Sequence, residues 1–362
     1  MPVTSPTRRA LLGLGAGARR FIELAATPLL PADYLDLINP MRAGADLRGR
    51  VIDVTHETQS STTVTIRPGK GWRGHRPGQY TRIGVDVNGV RNWRAYSITS
   101  APGDEITISA RAIAGGVVSH HLLTELTPGT MIMLDQATGD FTLPADRPVP
   151  AKALFLTGGS GITPVMGILR SHLGELSDVV VVHSAPTPEE SMFRTELRAL
   201  AARGAIRLVE RFTRTDGILP VASLPEVVPD WSERETWACG PTGLLDDAEA
   251  FWADAGLTAA LHTERFRPRV VAAGEGGEVT FSKQEATVDS PAGIPILDAG
   301  EAAGVLLPSG CRMGICFNCV VPLAEGSVRD LRTGELTSVD PEDPVLIQTC
   351  ITAAAGPCRL AV

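Results

Sequence analysis

The stretch SGCRMGICFNC, residues 309–319, places three cysteines within nine residues, and the next cysteine follows only at Cys350. The spacing Cys311-x4-Cys316-x2-Cys319-x30-Cys350 is one that holds a [2Fe–2S] cluster through four thiolates. In such a site a loop with three ligands wraps one side of the cluster, and a distant segment brings the fourth. The spacing therefore predicts an iron–sulfur centre.

Two alternatives to a cluster are a zinc site and unliganded thiols. A zinc ribbon usually has two CxxC pairs, and here only Cys316 and Cys319 form one. Gly310 and Gly314 allow the loop to bend and to direct backbone N–H groups at sulfur, which suits a cluster. Cys358 lies outside the pattern and is predicted to be a small packed side chain.

Composition indicates a globular protein of two or three domains. The chain has 362 residues, of which 43% are hydrophobic and 20% charged, and its net charge of −8 argues against a general nucleic-acid binder. The charge is uneven, since residues 1–50 hold seven arginines and four acidic residues. Residues 278–362 hold five basic and eleven acidic residues. A basic beginning and an acidic end suggest two different contact surfaces.

The pattern of apolar and turn-forming residues changes twice along the chain. Short alternating runs separated by Gly- and Pro-rich turns predict an antiparallel β-barrel. Strands that alternate with helices then predict a doubly wound parallel sheet, and GEGGE at 274–278 suggests a linker. The predicted divisions are an N-terminal extension that is partly helical or disordered (1–46), the barrel (47–148), the α/β domain (149–270), the linker (271–277) and a C-terminal domain (278–362).

Two motifs in the barrel region are candidates for a flat cofactor. In RAYS, residues 94–97, the strand period places Arg94 and Tyr96 on one face and Ser97 on the other. An aromatic ring beside a guanidinium can lie along a flat cofactor while the guanidinium takes a phosphate, although an ordinary strand would look the same. GGVVSHHL, residues 115–122, is a glycine-rich turn that opens a helix, where free N–H groups favour a pyrophosphate.

Together, PGQY, RAYSITS and GGVVS resemble the flavin domain of the ferredoxin–NADP reductase superfamily. The resemblance implies FAD, with Arg94 on a phosphate, Tyr96 along the isoalloxazine ring and Ser97 near flavin N5. FMN is the alternative, but the second motif favours a cofactor with a second phosphate. The residues implied to hold the pyrophosphate are Gly116, Val117, Val118 and Ser119.

The α/β region carries a glycine-rich turn, GGSGITP at 158–164, between a strand and a helix, and CGP at 239–241 after a later strand. Such a turn at a switch point of the sheet is a place for a dinucleotide phosphate. The pair of motifs resembles the nicotinamide half of the same superfamily, which implies that Thr163 and Cys239 flank the nicotinamide. The other implied coenzyme-binding residues are Gly159, Gly161, Pro164, Gly240 and Pro241.

ERF, residues 264–266, resembles the segment that places an aromatic ring against the flavin in these reductases. The resemblance implies Phe266 as a shield for the flavin and Glu264 as its polar neighbour, and plain packing is the alternative. Residues 278–362 resemble a plant-type ferredoxin of β-grasp fold, which implies the four cysteines of the opening motif as ligands. The whole chain is then expected to pass hydride equivalents from a nicotinamide to a flavin and single electrons onward.

The choice of coenzyme is predicted from the ends of two strands. HSAP, residues 183–186, lacks the acidic residue that would bind an adenosine ribose and repel a 2′-phosphate. Arg211 and Arg214, at or after the next strand end, could pair with that phosphate or could be solvated loop charges. NADPH is therefore predicted, with NADH as the alternative.

The electron acceptor is suggested by resemblance alone. The N-terminal extension together with HSAPTPEESMF, WACGP and GCRMGIC resembles actinobacterial NADPH-dependent reductases that serve membrane-bound stearoyl-CoA (acyl-CoA) desaturases. This implies a di-iron Δ9 desaturase as partner. A reductase for a soluble oxygenase, hydroxylase or cytochrome P450 and a redox sensor are the alternatives.

The cysteine content and the N-terminal sequence indicate where in the cell the protein acts. Six cysteines without a signal of secretory length favour the cytoplasm. TRRALLGLGAGARR, residues 7–20, looks like a twin-arginine export signal, but its apolar part is short, and an amphipathic segment is the preferred interpretation. Four arginines without an acidic residue in 1–20 predict weak, salt-sensitive contact with the inner face of a membrane.

Overall fold

The computed structural model describes residues 31–362, apart from residues 43, 88, 267–271 and 341. The predicted twin-arginine-like segment and the basic stretch 1–20 lie outside the described residues. Helix α1 (Pro31–Ile38) is the first described element. Within the described part of the chain, no helix combines the length and the apolar character needed to cross a membrane. Two compact units follow, one with the first two sheets and one with the third.

The first sheet is antiparallel and its strands alternate between buried and more exposed residues, as in STTVTIRP of β2. The spatial order is β4-β3-β6-β1-β2-β5, and an isolated bridge between Ile98 and Ile108 joins the two ends of this order. The predicted antiparallel β-barrel is thereby confirmed. Its strands are β1 (Arg48–Thr58), β2 (Ser61–Pro68), β3 (Tyr80–Val87), β4 (Val90–Ser97), β5 (Ile106–Arg111) and β6 (Met131–Leu134).

One helix, α2 (Val117–Thr124), closes the interior of this barrel. Val118 and Leu122, four residues apart and therefore on one side of the helix, are buried in the same apolar cluster as Val64, Ile66 and Ile108. Because the apolar side of α2 faces this cluster, the position of the helix start is fixed by the barrel core.

The second sheet is built from runs of Val, Leu and Phe that are buried on both faces, as parallel strands require. Its order is β11-β10-β7-β8-β9, with parallel pairing from β10 to β9. The strands are β7 (Lys152–Gly158), β8 (Asp178–Ala185), β9 (Arg207–Phe212), β10 (Glu235–Cys239) and β11 (Leu261–Glu264). The helices are α3 (Ile162–His172), α4 (Arg194–Ala202), α5 (Thr213–Asp216), α6 (Leu224–Val227) and α7 (Thr242–Asp254).

The chain order reverses between β7 and β10, which is the switch point where ligands bind in sheets of this kind. Helix α3 starts there and packs closely against the barrel. A Cβ on Gly167 would lie 2.5 Å from the carbonyl oxygen of Ile98, so only glycine fits. Arg170 Nη1 also donates to the carbonyl of Thr99 at 2.8 Å. The barrel and the parallel sheet are therefore held in one arrangement.

The third sheet is mixed, and one helix packs against it, as the predicted β-grasp fold requires. Its order is β13-β12-β17-β14-β15, and β16 also pairs with β14. Gly276 N donates to Ala354 O at 3.0 Å, so the end of the predicted linker belongs to this sheet. The elements are β12 (Gly277–Phe281), β13 (Ala286–Ser290), α8 (Ile296–Ala302), β14 (Val320–Asp330), β15 (Leu336–Val339), β16 (Val345–Gln348) and β17 (Thr352–Leu360).

Candidate functional site

The four cysteines of the opening motif come together at one end of the third sheet. Cys311, Cys316 and Cys319 lie in the loop between α8 and β14, and Cys350 lies in the turn between β16 and β17. The Sγ atoms of Cys319 and Cys350 are 3.2 Å apart. Cys311 interacts with the thiol of Cys316 and with Cys350, so the two pairs adjoin.

Backbone N–H groups of the cysteine loop point at sulfur. The N–H of Cys311 donates to Cys316 Sγ at 3.2 Å, and the N–H of Met313 donates to Cys311 Sγ at 3.3 Å. Three residues of the loop, Arg312, Gly314 and Phe317, have left-handed backbone conformations with φ of 59°, 75° and 57°. This curvature turns successive N–H groups inward.

The chemistry of this site fits a [2Fe–2S] cluster. Two adjoining pairs of thiols offer two ligands to each of two iron ions, and N–H donors compensate the negative charge of thiolate and sulfide. The contact between the thiols of Cys319 and Cys350 lowers the pKa of Cys319 and raises that of Cys350, so Cys319 is the more readily ionised of the pair. Cys358 is buried among apolar side chains, and burial raises the pKa of its thiol to about 11, as expected for a packed residue.

The flavin candidates lie at the end of β4 and at the start of α2. Arg94 and Tyr96 are half-buried, and Arg94 Nη1 donates to the carbonyl of Trp93 at 2.7 Å. Ser97 is 3% exposed, and its hydroxyl has no hydrogen-bond partner among the described residues. A buried hydroxyl without a hydrogen-bond partner destabilises the fold unless a ligand supplies that partner. The position of Ser97 therefore suits a residue that faces a bound flavin.

The turn before α2 is shaped for close approach. Gly115 has φ of 72°, and a Cβ on Gly116 would lie 2.5 Å from Ser119 Oγ. Ser119 Oγ donates to Gly116 O at 3.1 Å and accepts from Ile113 N at 3.3 Å, which locks the turn. The first N–H groups of a helix have no partner within it, so those at the start of α2, Val117 and Val118 among them, are suited to an anionic group such as a pyrophosphate.

The coenzyme candidates lie at the carboxyl end of the parallel sheet. Gly159 has φ of 56° in the tight turn Gly159–Gly161 that leads into α3. Thr163 is buried in the first turn of α3, beside Pro164, and donates to Ser160 O at 2.9 Å. Cys239 ends β10 and is buried, directly before Gly240 and Pro241. The structure thus brings both predicted motifs to the switch point.

A polar row crosses the sheet beneath this edge. Cys239 pairs in register with Thr157, Thr157 with His183, and His183 with Glu210. A hydrogen bond of 2.8 Å joins Thr157 Oγ1 and His183 Nδ1. Burial lowers the pKa of His183 to about 4, so this imidazole is neutral near pH 7.

The two arginines predicted for the 2′-phosphate differ in their surroundings. Arg211 Nε donates to Gly217 O at 3.0 Å, and its Nη2 donates to Asp216 O, so this guanidinium already binds its own loop. Arg214, in the short helix α5, is 67% exposed, and its Nη2 lies 3.4 Å from Glu190 Oε1. Arg214 is therefore the more available of the two.

Glu264 and Phe266 lie at and just beyond the end of the last strand of the second sheet. Glu264 is the last residue of β11; burial raises its pKa to about 8, and its Oε2 has no partner among the described residues. Phe266 is partly exposed. A buried carboxyl that stays protonated near neutral pH can donate a hydrogen bond, which suits a polar neighbour of a redox cofactor.

Residues 54–143 match the family described as the oxidoreductase FAD-binding domain, and residues 279–355 match the 2Fe-2S iron–sulfur cluster binding domain. The NADPH oxidoreductase of Mycobacterium tuberculosis strain H37Rv is 46% identical over 352 residues, covering 94% of this chain and 91% of that protein. The chain belongs to the flavin-dependent reductases that carry a 2Fe-2S ferredoxin domain. It is thus an NAD(P)H-dependent electron-transfer oxidoreductase with FAD and a [2Fe–2S] cluster as cofactors.

More distant similarities support the same fold for this reductase. The glycine betaine monooxygenase reductase subunit of Pseudomonas aeruginosa strain UCBPP-PA14 is 28% identical, covering 76% of this chain and 84% of that protein. The structure of phthalate dioxygenase reductase aligns over 87% of this chain and 97% of its own, with a TM-score of 0.58 at 19% identity. That match shows a shared three-domain fold.

Sequence reasoning missed several residues of this reductase that the fold brings to the site. Arg111 Nη2 lies 2.9 Å from Glu190 Oε2, which links the barrel to the parallel sheet next to Gly159. Gln348 donates from Nε2 to the carbonyl of Gly314 at 3.1 Å. These contacts join residues 79 and 34 positions apart, and no local pattern in the sequence marks them.

Proposed function

We propose that this reductase takes electrons from NADPH and passes them singly, through FAD and the [2Fe–2S] cluster, to an oxygen-activating metalloenzyme. The observation that carries the proposal is the convergence of four cysteines into two adjoining thiol pairs. The proposed domain limits are 47–148 for FAD, 149–270 for the coenzyme and 278–362 for the cluster.

The proposed roles of the side chains follow from their positions. When bound, FAD accepts a hydride from the coenzyme, and the cluster carries one electron at a time. Ser97 donates its hydroxyl to the flavin ring, and the start of α2 holds the pyrophosphate. Thr163 and Cys239 shape the nicotinamide pocket. Arg214 pairs with the 2′-phosphate of NADPH. The 2′-hydroxyl of NADH carries no charge and cannot form this ion pair.

An anaerobic titration with NADPH tests this route. We expect flavin absorbance to bleach and an electron-paramagnetic-resonance signal of a reduced [2Fe–2S] cluster to appear, with two irons per chain. Ferricyanide turnover should be fast, whereas a redox sensor would turn over poorly. Protein prepared anaerobically that contains zinc, or no metal, at the cysteine site would refute the proposed electron path.

The acceptor is proposed to dock on an apolar patch beside the cluster, formed by Ile315, Phe317 and Leu346. Phe317 is 66% exposed and Leu346 67% exposed. Gln348 reaches the cysteine loop, and alternate residues of a strand share a face, so Leu346 of β16 lies on the same side. Phe317 projects from a left-handed backbone position, which costs about 1 kcal/mol or more and suits a functional contact.

The net charge of the domain that carries this patch indicates the chemistry of the partner. Residues 278–362 hold eleven acidic and five basic residues, so a partner with a positively charged rim around its redox centre is favoured. The patch supplies apolar contact, and the net negative charge of the domain steers the approach. We therefore propose a basic-faced acceptor protein.

Two acceptor classes have separate support. The name of the Pseudomonas aeruginosa relative supports a monooxygenase as partner. A membrane-bound acyl-CoA desaturase is supported by helix α1, where Leu37 is 70% exposed and Ile38 81% exposed, and by the arginine-rich sequence of residues 1–20. Apolar and basic groups together favour an anionic membrane surface.

Deleting residues 2–20 separates these classes. If a desaturase is the partner, the truncated protein should keep NADPH–ferricyanide turnover, bind anionic phosphatidylglycerol vesicles less at low salt, and desaturate acyl-CoA more slowly in membranes. Identical desaturation by both proteins at low and high salt would exclude a docking role for the segment. Rapid reduction of a soluble oxygenase with no membrane effect would favour the other class.

A further inference from the structure

The carbonyl of Gly314 lies at the centre of a small hydrogen-bond network behind the cysteine loop. It accepts from Gln348 Nε2 at 3.1 Å and, more weakly, from Arg332 Nη1 at 3.5 Å. A Cβ on Gly314 would lie 2.7 Å from Arg332 Nη1 and 3.0 Å from Ile351, so glycine is required for this approach.

The same peptide unit reaches a sulfur on its other side. The carbonyl of Gly314 and the N–H of Ile315 belong to one planar group. The N–H of Ile315 is directed at the sulfur of Cys311, and the N–H of Gly314, in the preceding peptide, is directed at that of Cys350. Gln348 therefore contacts neither thiol pair itself but binds the peptide that does.

The backbone of Gln348 is fixed by the sheet. Gln348 pairs in register with Val320 of β14, and its carbonyl accepts from Thr352 Oγ1 at 2.8 Å and from Ile351 N at 3.1 Å. Because the backbone is held in this way, the side-chain amide reaches Gly314 from a defined position rather than from a mobile loop.

A hydrogen bond to a carbonyl polarises its peptide and strengthens the N–H on the other side, by an estimated 10–30% per bond. A stronger N–H···S bond favours the more negative state of the sulfur ligands and so raises the reduction potential of a cluster. The Arg332 guanidinium also polarises the Gly314 carbonyl. Its ion pair with Asp330, at 3.2 Å, weakens this effect.

We propose that Gln348 is a positioning residue that raises the reduction potential of the [2Fe–2S] cluster through the Gly314–Ile315 peptide. The inference rests on the proposed electron path, because it requires a cluster at the four cysteines. Gln348 thus affects the reduction potential of the cluster and not the binding of coenzyme or acceptor.

The test is a redox titration of the cluster, followed by its electron-paramagnetic-resonance signal, in the complete holoprotein. Gln348→Leu removes the donor, and its midpoint potential should fall by a roughly 1.2- to 1.7-fold change in the reduction equilibrium, which is about 5 to 14 mV for one electron. The matched control is Gln284→Leu, since Gln284 Nε2 donates to Leu306 O at 3.3 Å in the turn between β12 and β13. The control should leave the potential unchanged.

A second variant keeps the test decisive if Gln348→Leu fails to assemble its cluster. Gln348→Lys retains a donor, and its potential should equal or exceed that of the wild type. The proposal is wrong if Gln348→Leu keeps the wild-type potential, if Gln284→Leu shifts it equally, or if Gln348→Lys lowers it. Failure of the proposed electron path is distinguishable, because the wild type would then show no cluster signal.

Discussion

The Sγ atoms of Cys319 and Cys350 lie 3.2 Å apart, although 31 positions separate the two residues in the chain. The strands between them cause this approach. Val320, directly after Cys319, pairs with Gln348, two residues before Cys350, in the β14–β16 ladder. The pairing of β14 with β16 therefore brings the fourth thiol to the cysteine loop.

Replacing Cys350 by serine should abolish the cluster and spare the flavin. We expect Cys350→Ser to lose the electron-paramagnetic-resonance signal and most of its iron while keeping one FAD per chain and NADPH–ferricyanide turnover. Cys358→Ala is the matched control, because this cysteine is buried among apolar side chains, and it should keep two irons. Full iron content in Cys350→Ser would contradict the assignment of the fourth ligand.

Ser97→Ala tests the flavin site. The buried hydroxyl has no partner among the described residues, so we expect it to bond the flavin. Loss of one such bond, worth about 1.4 kcal/mol, should slow flavin reduction by NADPH about tenfold in anaerobic stopped-flow measurements, with FAD content unchanged. The control Ser109→Ala breaks a 2.7 Å bond to Thr63 within the barrel and should lower thermal stability without slowing reduction. Equal reduction rates in Ser97→Ala and wild type would show that this hydroxyl plays no part.

Sequence patterns predicted the three sheets because each has its own local signature. Continuous apolar runs such as DVVVVHSA indicate buried parallel strands, and the cysteine spacing indicates a ligand loop. The patterns could not reveal that Arg211 binds its own loop, because the bond depends on the path of residues 213–217. The contact between Gln348 and Gly314 likewise depends on strand pairing that no single segment encodes.

Arg214→Ala tests the choice of coenzyme. Wild type is expected to prefer NADPH, and loss of a charge-assisted bond of about 1.5 to 3 kcal/mol should reduce the NADPH-to-NADH ratio of kcat/KM about tenfold or more. The ratio should change through KM for NADPH. Arg203→Ala, an exposed arginine just after α4, is the control and should leave the ratio unchanged. Equal kcat/KM for both coenzymes in wild type would overturn the prediction.

His183 should make stability depend on pH. Its pKa is lowered to about 4 by burial, so between pH 6.5 and 4 the unfolded chain binds a proton that the native state excludes. The stabilisation is therefore complete above pH 6.5 and is lost as pH falls, by up to about 1.4 kcal/mol per pH unit. The thermal midpoint of wild type should fall between pH 7.5 and 5.5 more steeply than that of His183→Asn. The exposed His56 provides the control variant His56→Gln, which should follow wild type, and parallel pH profiles for all three would contradict the prediction.

Phe317→Ser tests the proposed docking patch. The ring is exposed beside the cysteine loop and lies in an acidic domain, so a basic haem protein such as cytochrome c is a suitable probe. Loss of about 1.4 kcal/mol of apolar contact should lower kcat/KM for cytochrome c about tenfold, while ferricyanide turnover and the cluster signal stay unchanged. Leu336→Ser provides the matched control, because Leu336 is also an exposed apolar residue of the third sheet but lies on β15 and not in the proposed patch. Added salt should weaken cytochrome c reduction in both variants and in wild type, since charge steers the encounter in all three. If Phe317→Ser and Leu336→Ser reduce cytochrome c equally well, the patch has no role in docking, and charge alone guides the acceptor to the cluster.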